Sequence, residues 1–336
     1  MDVDRAFEQE LKDLQRLYGA RVLTRLSDRG GEAVAVLPTG ISTLDQAIGV
    51  GGIPRGRIVE MFGPEGAGKT SLALSVMAEA QRLGEEVLLV DAEHAFDPSW
   101  GRRLGMQVEQ LWISQPDSAE EALDIVLHTV RSGSFAVVSV DSVAALVPQA
   151  ELEGAIGDVQ VGLQARLMAK ALRSLAGMAA KSGTCVIFIN QLRERIGGGG
   201  YGPSETTPGG RALKFFASLR LDARRGETLR AGGEVVGHRL VVRVVKNKLA
   251  APHRSASVDL IYGAGLSRSG ALIDAAMATG VLSLAGSWFA FDGETIAQGR
   301  EALRRLLDSD ETMRGAIEAR LATLAVDEAE EAVGQG

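Results

Sequence analysis

The chain has 336 residues, of which 46 % are hydrophobic and 24 % are charged, so it can bury a substantial core. Its formal net charge of −7 excludes a protein that coats itself in nucleic acid through bulk positive charge, so any such contact must be local. The apolar runs are far shorter than the roughly 20 residues that span a bilayer, and the N-terminus lacks the order of a signal peptide. We therefore expect a cytoplasmic protein that does not enter a membrane.

The first 32 residues are predicted to be an N-terminal arm for oligomerisation. Apolar side chains recur at helical spacing between Phe7 and Tyr18, and residues 20–26 follow with the alternation of a strand. A helix and a strand of this length cannot fold alone. The arm therefore needs another surface to cover it.

The stretch GPEGAGKTS, residues 63–71, lies between a strand-like run and a helix-like run. A helix N-terminus presents unpaired N–H groups and the positive end of a dipole, and glycines let the backbone approach an anion closely. The spacing fits the phosphate-binding loop, in which the lysine reaches the outer phosphates and the hydroxyl binds Mg²⁺. An ordinary glycine-rich turn is the weaker alternative, because strand, loop and helix occur in the required order. The residues assigned to the nucleotide here are Gly63, Pro64, Glu65, Gly66, Ala67, Gly68, Lys69, Thr70 and Ser71.

Further strand-like runs alternate with helical stretches as far as about residue 261. This alternation predicts an α/β fold with a mostly parallel twisted sheet and a ligand at the C-terminal ends of its strands. From about residue 269 the pattern becomes mainly helical with one short strand-like run, which predicts a small α+β C-terminal domain ending in a short acidic tail. The predicted domains are therefore the arm at 1–32, an ATPase core at 33–268 and the C-terminal domain at 269–336.

Two strand ends bring acids to that edge of the sheet. Asp141 ends an apolar run where an acid can hold the shell of a Mg²⁺ ion, and the run VLLVDAEHAFDP delivers Asp91, Glu93 and His94. An acid in this run is well placed to activate an attacking water, although a solvated acidic loop is the alternative. In the same loop, the ring of Trp100 can cover an adenine while a nearby carboxylate accepts its amino group, or the ring can simply be packed.

Six motifs in order carry a family resemblance: GPEGAGKTS, LLVDAEHAFDP, VVSVDSVAALVPQAELEGAIGD, VIFINQLRERIG, SETTPGGRALKFFASLRLD and VVRVVKNKLAAP. Read together, they resemble the bacterial RecA recombinases through nearly the whole chain. The resemblance implies a RecA-like P-loop NTPase with ATP and Mg²⁺ as cofactors, acting as a DNA-dependent ATPase that hydrolyses ATP to ADP and phosphate. It implies helical filaments on single-stranded DNA, pairing with homologous double-stranded DNA, and strand exchange in recombinational repair of DNA damage. It also implies that the filament promotes self-cleavage of a LexA-type repressor in the SOS response.

By the same resemblance, the chemistry falls on a small set of side chains. Lys69 and Thr70 would hold the phosphates and Mg²⁺, Asp141 would support the metal through a water, and Ser142 would assist it. Glu93 would be the catalytic base.

Other matching positions concern sensing and the adenine. Gln191 would sense the terminal phosphate and pass its presence to the loop that follows. Asp97, Trp100 and Tyr262 match positions that contact the adenine.

The resemblance also places part of the site on the neighbouring subunit. Lys246 and Lys248 would reach the nucleotide of the adjacent chain as cations supplied in trans, and Phe215 would pack across the same interface. An arm that docks on the next subunit makes a head-to-tail contact, which produces an open helical filament when the rotation does not close.

Two loops, at about 153–162 and 192–210, would bind DNA. The arginines in or beside them supply local positive charge; they are Arg166, Arg173, Arg193, Arg195 and Arg211. For Arg173 a solvated helix face is the better interpretation. In the C-terminal domain Arg300, Arg304 and Arg305 either gather duplex DNA or form a plain basic surface.

The sequence departs from the family at two loops. The phosphate loop has Gly66 and Ala67 where the family usually has two serines, and the second DNA loop has four consecutive glycines before Tyr201. An alternative function is a regulatory oligomeric ATPase switch of the same superfamily without strand exchange. The lysine pair, the two loops and the arm favour the recombinase.

Overall fold

The computed structural model describes residues 2–19, 22–23, 25, 34–155, 162–194, 205–231 and 233–334. Its contacts divide the chain into two units, residues 1–35 and 36–336. In the first unit, α1 spans Asp2–Tyr18 and leaves the apolar side chains of Phe7, Leu17 and Tyr18 exposed. The strand predicted at residues 20–26 lies largely outside the described residues. None of the described helices is long and apolar enough to cross a membrane.

The second unit contains the remaining helices and all the described strands. The helices are α2 (Ser42–Ile48), α3 (Lys69–Arg82), α4 (Pro98–Arg103), α5 (Ala119–Ser132), α6 (Gln149–Glu153), α7 (Leu163–Ser182), α8 (Ala212–Phe216), α9 (Arg268–Ala278), α10 (Arg300–Ser309) and α11 (Glu311–Gly334). The strands are β1 (Val36–Leu37), β2 (Ile53–Pro54), β3 (Ile58–Gly63), β4 (Val87–Asp91), β5 (Trp112–Ser114), β6 (Val137–Asp141), β7 (Cys185–Gln191), β8 (Arg193–Glu194), β9 (Glu205–Thr206), β10 (Leu219–Ala231), β11 (Glu234–Asn247), β12 (Ser255–Ile261), β13 (Gly265–Leu266), β14 (Leu282–Ala285), β15 (Trp288–Phe291) and β16 (Glu294–Gln298).

A nine-stranded sheet organises this unit, in the order β13-β12-β11-β10-β3-β7-β6-β4-β5. All pairs from β10 to β5 are parallel, whereas β10 to β13 pair antiparallel. The register sets Gly63 beside Gln191 and Asp91 beside Asp141 at the strand ends. The predicted mostly parallel α/β sheet is confirmed, and the functional strand ends meet at one edge.

The central strands are almost continuously apolar because helices cover both faces of the sheet. Residues of α3, such as Leu72 and Met77, belong to the hydrophobic cluster on one face. Leu172 and Leu175 of α7 belong to the cluster on the other. Burial on both faces is what selects runs of valine, isoleucine and leucine rather than an alternating pattern.

The C-terminal segment is a small helical group with its own three-stranded antiparallel sheet, β14-β15-β16. Leu272, Phe289 and Leu303 lie in its separate hydrophobic cluster. The sequence predicted only the middle strand, which is joined to its partners through turns at Gly286 and Gly293, both with positive φ. The backbone of the acidic segment 327–331 continues α11.

Candidate nucleotide-binding site

The loop after β3 has a backbone that requires glycine. A Cβ on Gly63 would lie 2.0 Å from the carbonyl oxygen of Ala223, and Gly68 takes a φ of 97° just before α3 begins. A side chain at the first position would push β10 away, and at the second it would strain the backbone. The loop is therefore shaped so that backbone N–H groups at the start of α3 can face an anion.

Two side chains of the first turn of α3 make contacts that a ligand can exchange. The buried Lys69 Nζ donates to the carbonyl oxygen of Pro64 at 2.7 Å, and Thr70 Oγ1 donates to Asp141 Oδ2 at 2.7 Å. Burial lowers the pKa of Lys69, while the charges of Asp141 and Glu93 act in the opposite direction. The ammonium thus lies where burial makes an anionic partner favourable.

Asp141 is a buried acid at this edge of the sheet. Burial raises its pKa to about 6, opposed by the hydrogen bond from Thr70 and assisted by the negative charges of Glu93 and Asp91. The Asp141 carboxylate and the Thr70 hydroxyl supply hard oxygen atoms, the type that Mg²⁺ prefers. The residues present therefore fit a magnesium ion beside the phosphate loop.

Glu93 joins the ends of three strands. Its Oε1 accepts hydrogen bonds from Ser142 Oγ and, at 3.0 Å, from Gln191 Nε2. The backbone N–H groups of Ala92 and Glu93 donate to the carbonyl oxygen of Asp141 at 2.8 and 3.2 Å. An exposed carboxylate is thus held at a fixed position at the edge of the sheet.

Asp91, which the sequence also placed at this edge, builds the loop that carries Glu93. Its oxygens accept from the backbone N–H groups of Ala95 at 3.2 Å and Phe96 at 3.1 Å, and from Gln115 Nε2 at 3.0 Å. These bonds hold the turn in which His94 has a φ of 54°. The carboxylate of Asp91 is committed to the loop backbone.

A cleft of about 390 Å³ opens beside the phosphate loop. It is lined by Gly66, Gly68, Lys69, Thr70, Ser71, Trp100, Arg225, His238, Leu260 and Tyr262. Trp100 Nε1 donates to Ser71 Oγ at 3.1 Å, which fixes the indole against α3. The predicted adenine contacts Trp100 and Tyr262 therefore share one cleft with the loop.

Asp97 lies apart from the cleft lining. Its carboxylate accepts from the backbone N–H of Ser99 at 2.8 Å and from the Ser99 hydroxyl at 2.9 Å, so it caps α4. A contact between Asp97 and a base stays a prediction.

Sequence reasoning missed the cleft wall that comes from β10 to β12. The Tyr262 hydroxyl contacts both Arg225 Nη2 at 3.2 Å and His238 Nδ1 at 3.3 Å. His238 is buried, and burial lowers the pKa of its ring. The alternation of β11 could have marked position 238 as inward-facing, but only the pairing of distant strands shows what it faces.

Lys246 and Lys248 lie away from the cleft of their own chain. Their Nζ atoms donate to carbonyl oxygens at the end of α8, Lys246 to Lys214 at 2.6 Å and to Phe215 at 3.0 Å, and Lys248 to Phe215 at 3.3 Å. In the sheet, Lys246 of β11 lies opposite Arg220 of β10, and Arg220 lies opposite Glu60 of β3. Glu60 is three residues, or about 10 Å, along β3 from Gly63. Phe215 is 69 % exposed beside them. The lysines and this ring form one exposed face.

The predicted DNA loops lie partly outside the described residues. Residues 156–161 and 195–204, which include Arg195 and Tyr201, are not described, whereas β8 and β9 pair across the base of the second loop. Arg173 lies on an exposed helix face, where its Nε donates to the carbonyl oxygen of Ala169. In the C-terminal segment, Arg300 pairs with Asp274 at 2.7 Å.

Comparison with known proteins gives matches along the chain. A family model described as the RecA N-terminal domain matches residues 5–267, and one described as the RecA C-terminal domain matches residues 270–325. The chain is 52 % identical over 316 residues to Protein RecA of Nitratidesulfovibrio vulgaris strain DP4, covering 94 % of this chain and 88 % of the relative. It is 51 % identical over 317 residues to Protein RecA of Rubrobacter xylanophilus, covering 94 % and 92 %, and 54 % identical over 311 residues to that of Desulfovibrio desulfuricans, covering 93 % and 87 %.

Proposed function

Because the chain belongs to the RecA recombinase family, its function is DNA recombination, and we propose that its cleft binds ATP with Mg²⁺. We further propose that the protein hydrolyses ATP to ADP and phosphate while it forms filaments on single-stranded DNA. The observation that carries this proposal is the meeting of Lys69, Thr70, Glu93 and Asp141 at one edge of the sheet. A cation, a hydroxyl and two acids at this edge are the groups that phosphoryl transfer requires.

The phosphates would occupy the glycine cradle. Lys69 exchanges the carbonyl oxygen of Pro64 for phosphate oxygens, which are stronger acceptors because they are charged. Thr70 and Asp141, which are hydrogen-bonded to each other, would hold Mg²⁺, the latter through a water. Ser142 donates a hydrogen bond to Glu93 at the same edge. The ion supplies neutralisation of the charge that develops on the phosphates.

Glu93 would act as the general base on the attacking water. Its carboxylate is held by Gln191 and Ser142, so it can orient a water and take its proton. Gln191 is the last residue of β7 and precedes the loop at 192–210, so a phosphate that recruits its amide pulls on that loop. This gives nucleotide binding a direct mechanical route to the DNA-binding loop.

The site would be completed by a neighbouring subunit. Lys246 and Lys248 lie with Phe215 on an exposed face away from their own cleft, which suits cations supplied in trans. The arm at 1–32 docks on the next subunit and makes the head-to-tail filament. The ATPase core spans 33–268 and the C-terminal domain 269–336, a division supported by the point at which the two family models meet.

The DNA partners follow from this assembly. The loops at 153–162 and 192–210 bind single-stranded DNA through local positive charge, and the C-terminal domain binds double-stranded DNA. The filament promotes self-cleavage of a LexA-type repressor and acts in the cytoplasm. The switch without strand exchange is not favoured, because the similarity to the RecA relatives covers both domains.

The test is the rate of ATP hydrolysis with and without single-stranded DNA at fixed salt. We expect strong stimulation by DNA in the wild type, strand exchange with a homologous duplex, and no hydrolysis by a folded Lys69→Ala variant. Hydrolysis that ignores DNA would favour the switch, and nucleotide binding without turnover would contradict an ATPase.

A further inference from the structure

A buried carboxylate that the proposed chemistry does not use lies in the middle of β3. Glu60 has no exposed surface; its Oε2 accepts from Arg220 Nε at 2.5 Å and its Oε1 from Asn190 Nδ2 at 3.1 Å. A buried ion pair is weak evidence for stability, because apolar residues of similar volume often serve as well. Its position, three residues before Gly63 and between β7 and β10, calls for another explanation.

On the β7 side, Glu60 orients the side chain of Asn190. The Asn190 Nδ2 also donates to the carbonyl oxygen of Pro208 at 3.1 Å, and its Oδ1 accepts the backbone N–H of Gln191 at 3.0 Å. The buried amide of Asn190 thus contacts Glu60, the backbone of Gln191 and the carbonyl oxygen of Pro208. Gln191 contacts Glu93, and Pro208 lies at the C-terminal end of the second DNA loop. A change in the hydrogen bond between Glu60 and Asn190 would therefore alter contacts at both ends of that loop.

On the other side, Glu60 leads to the exposed lysine face. Arg220 lies beside Glu60 in β10, with its guanidinium 4.5 Å over the ring of Phe62, and Lys246 is opposite Arg220 in β11. Burial lowers the pKa of Lys246, with the charges of Lys248 and Arg220 acting in the same direction and Glu60 opposing them. The negative charge of Glu60 therefore stabilises the protonated form of Lys246.

We propose that Glu60 is a positioning residue that couples the exposed lysine face to the phosphate-sensing glutamine and the second DNA loop. The coupled residues, the Glu60 relay, are Lys246, Arg220, Glu60, Asn190 and Gln191. The inference rests on the proposed function of Gln191 and Lys246. When Lys246 leaves the carbonyl oxygens of α8 for the neighbour's phosphates, the field on Arg220 changes. The ion pair between Arg220 and Glu60 then changes its geometry. Asn190, which is hydrogen-bonded to Glu60, changes its position and with it the position of Gln191.

The first test replaces Glu60 by glutamine, which keeps an acceptor for Asn190 but removes the charge that Arg220 contacts. The matched control is Glu79→Gln, a second buried glutamate paired with arginines, in α3. We expect Glu60→Gln to lose about 10-fold in the stimulation of ATP hydrolysis by DNA, within the usual range of coupling between sites. Affinity for a fluorescent ATP analogue without DNA should change by less than about 3-fold, and Glu79→Gln should keep its stimulation.

The second test separates positioning from simple stability. The double variant Glu60→Leu/Arg220→Met replaces the pair by apolar side chains of similar volume, which commonly restores folding. We expect its melting temperature to approach that of the wild type while DNA stimulation stays low. This variant decides the question if Glu60→Gln alone unfolds.

The outcomes distinguish the relay from the function on which it rests. A wild type that DNA stimulates, with Glu60→Gln or the double variant stimulated equally, overturns the relay alone. A wild type without DNA-stimulated hydrolysis overturns the proposed function and the relay with it.

Discussion

The nucleotide cleft and the C-terminal segment both concentrate charge, but they hold it differently. In the cleft, Lys69 donates to a backbone carbonyl oxygen and Thr70 to a carboxylate. In the C-terminal segment three arginines each contact a carboxylate: Arg300 with Asp274, Arg304 with Glu301 and Asp308, and Arg314 with Glu311. A phosphate that binds Lys69 therefore displaces a neutral carbonyl oxygen, whereas one that binds these arginines must displace a carboxylate.

This difference shows why basic residues in a sequence do not by themselves mark an anion site. Arg300 and Arg304 were candidates for duplex DNA, yet both are already partnered. Arg305 differs, because its Nε contacts only the carbonyl oxygen of Glu301, at 3.4 Å, among its described bonds. Of the three, Arg305 has the charge most accessible to a phosphate.

The largest effect should come from Glu93→Gln, which removes the base from the cleft while keeping its shape. We expect ATP binding to persist and hydrolysis to fall by 10²–10⁴-fold, about 3–5 kcal/mol, because an amide cannot accept the proton. Single-turnover hydrolysis on single-stranded DNA measures this, with the exposed Glu109→Gln as the control. Near-normal turnover of Glu93→Gln would remove Glu93 from its role.

A backbone change in the phosphate loop should have the next largest effect. A Cβ on Gly63 would meet the carbonyl oxygen of Ala223, whereas one on Gly66 would meet nothing within 4 Å. We expect Gly63→Ala to lose about 3 kcal/mol or more of stability and to impair ATP binding. Gly66→Ala should lose about 1 kcal/mol, from its positive φ alone. Equal losses in denaturant unfolding would show that crowding against β10 does not shape the loop.

A pH-dependent effect on stability is expected at Asp45 in α2. Burial raises the pKa of Asp45 to about 8, with Glu79 and Glu318 adding in the same direction and hydrogen bonds from Thr39 opposing. Because this folded-state pKa lies above the unfolded value of 3.8, stability present at low pH is lost as pH rises towards 8.

Asp45→Asn cannot ionise and keeps an acceptor for the N–H of Thr39. Its unfolding free energy relative to the wild type should therefore rise with pH between 5 and 8, by at most about 1.4 kcal/mol per pH unit. Urea unfolding at several pH values measures this. A difference that stays constant with pH would contradict the raised pKa.

The smallest effect is expected at Arg304, which two acids already neutralise. Arg304→Ala should change duplex DNA affinity by less than about 3-fold and stability by less than about 1 kcal/mol, as is usual for exposed ion pairs. Arg305→Ala is the matched comparison and should weaken duplex binding more. If Arg304→Ala weakens duplex DNA binding more than Arg305→Ala at the same salt concentration, ion pairing with acids does not decide which arginine binds DNA.

Local patterns were enough to predict the phosphate loop and the acids at the strand ends. A loop between strand and helix is encoded within nine residues, and parallel strands bring their ends together whatever their order. The wall formed by Arg225, His238 and Leu260 depends on strand pairing across distant segments, which carries no local signal. Asp97 was assigned from its place in the loop with Trp100 and from the family resemblance, and its capping bond to Ser99 shows that the start of a short helix also accounts for that residue.

In the proposed filament, the lysines of one subunit complete the nucleotide site of its neighbour. The most direct test mixes a Lys69→Ala subunit with a Lys248→Ala subunit and measures ATP hydrolysis on single-stranded DNA. Each alone should be inactive, while mixed filaments should regain part of the activity, because some interfaces pair an intact Lys69 with an intact Lys248. No recovery despite demonstrated co-assembly would contradict a site shared between subunits.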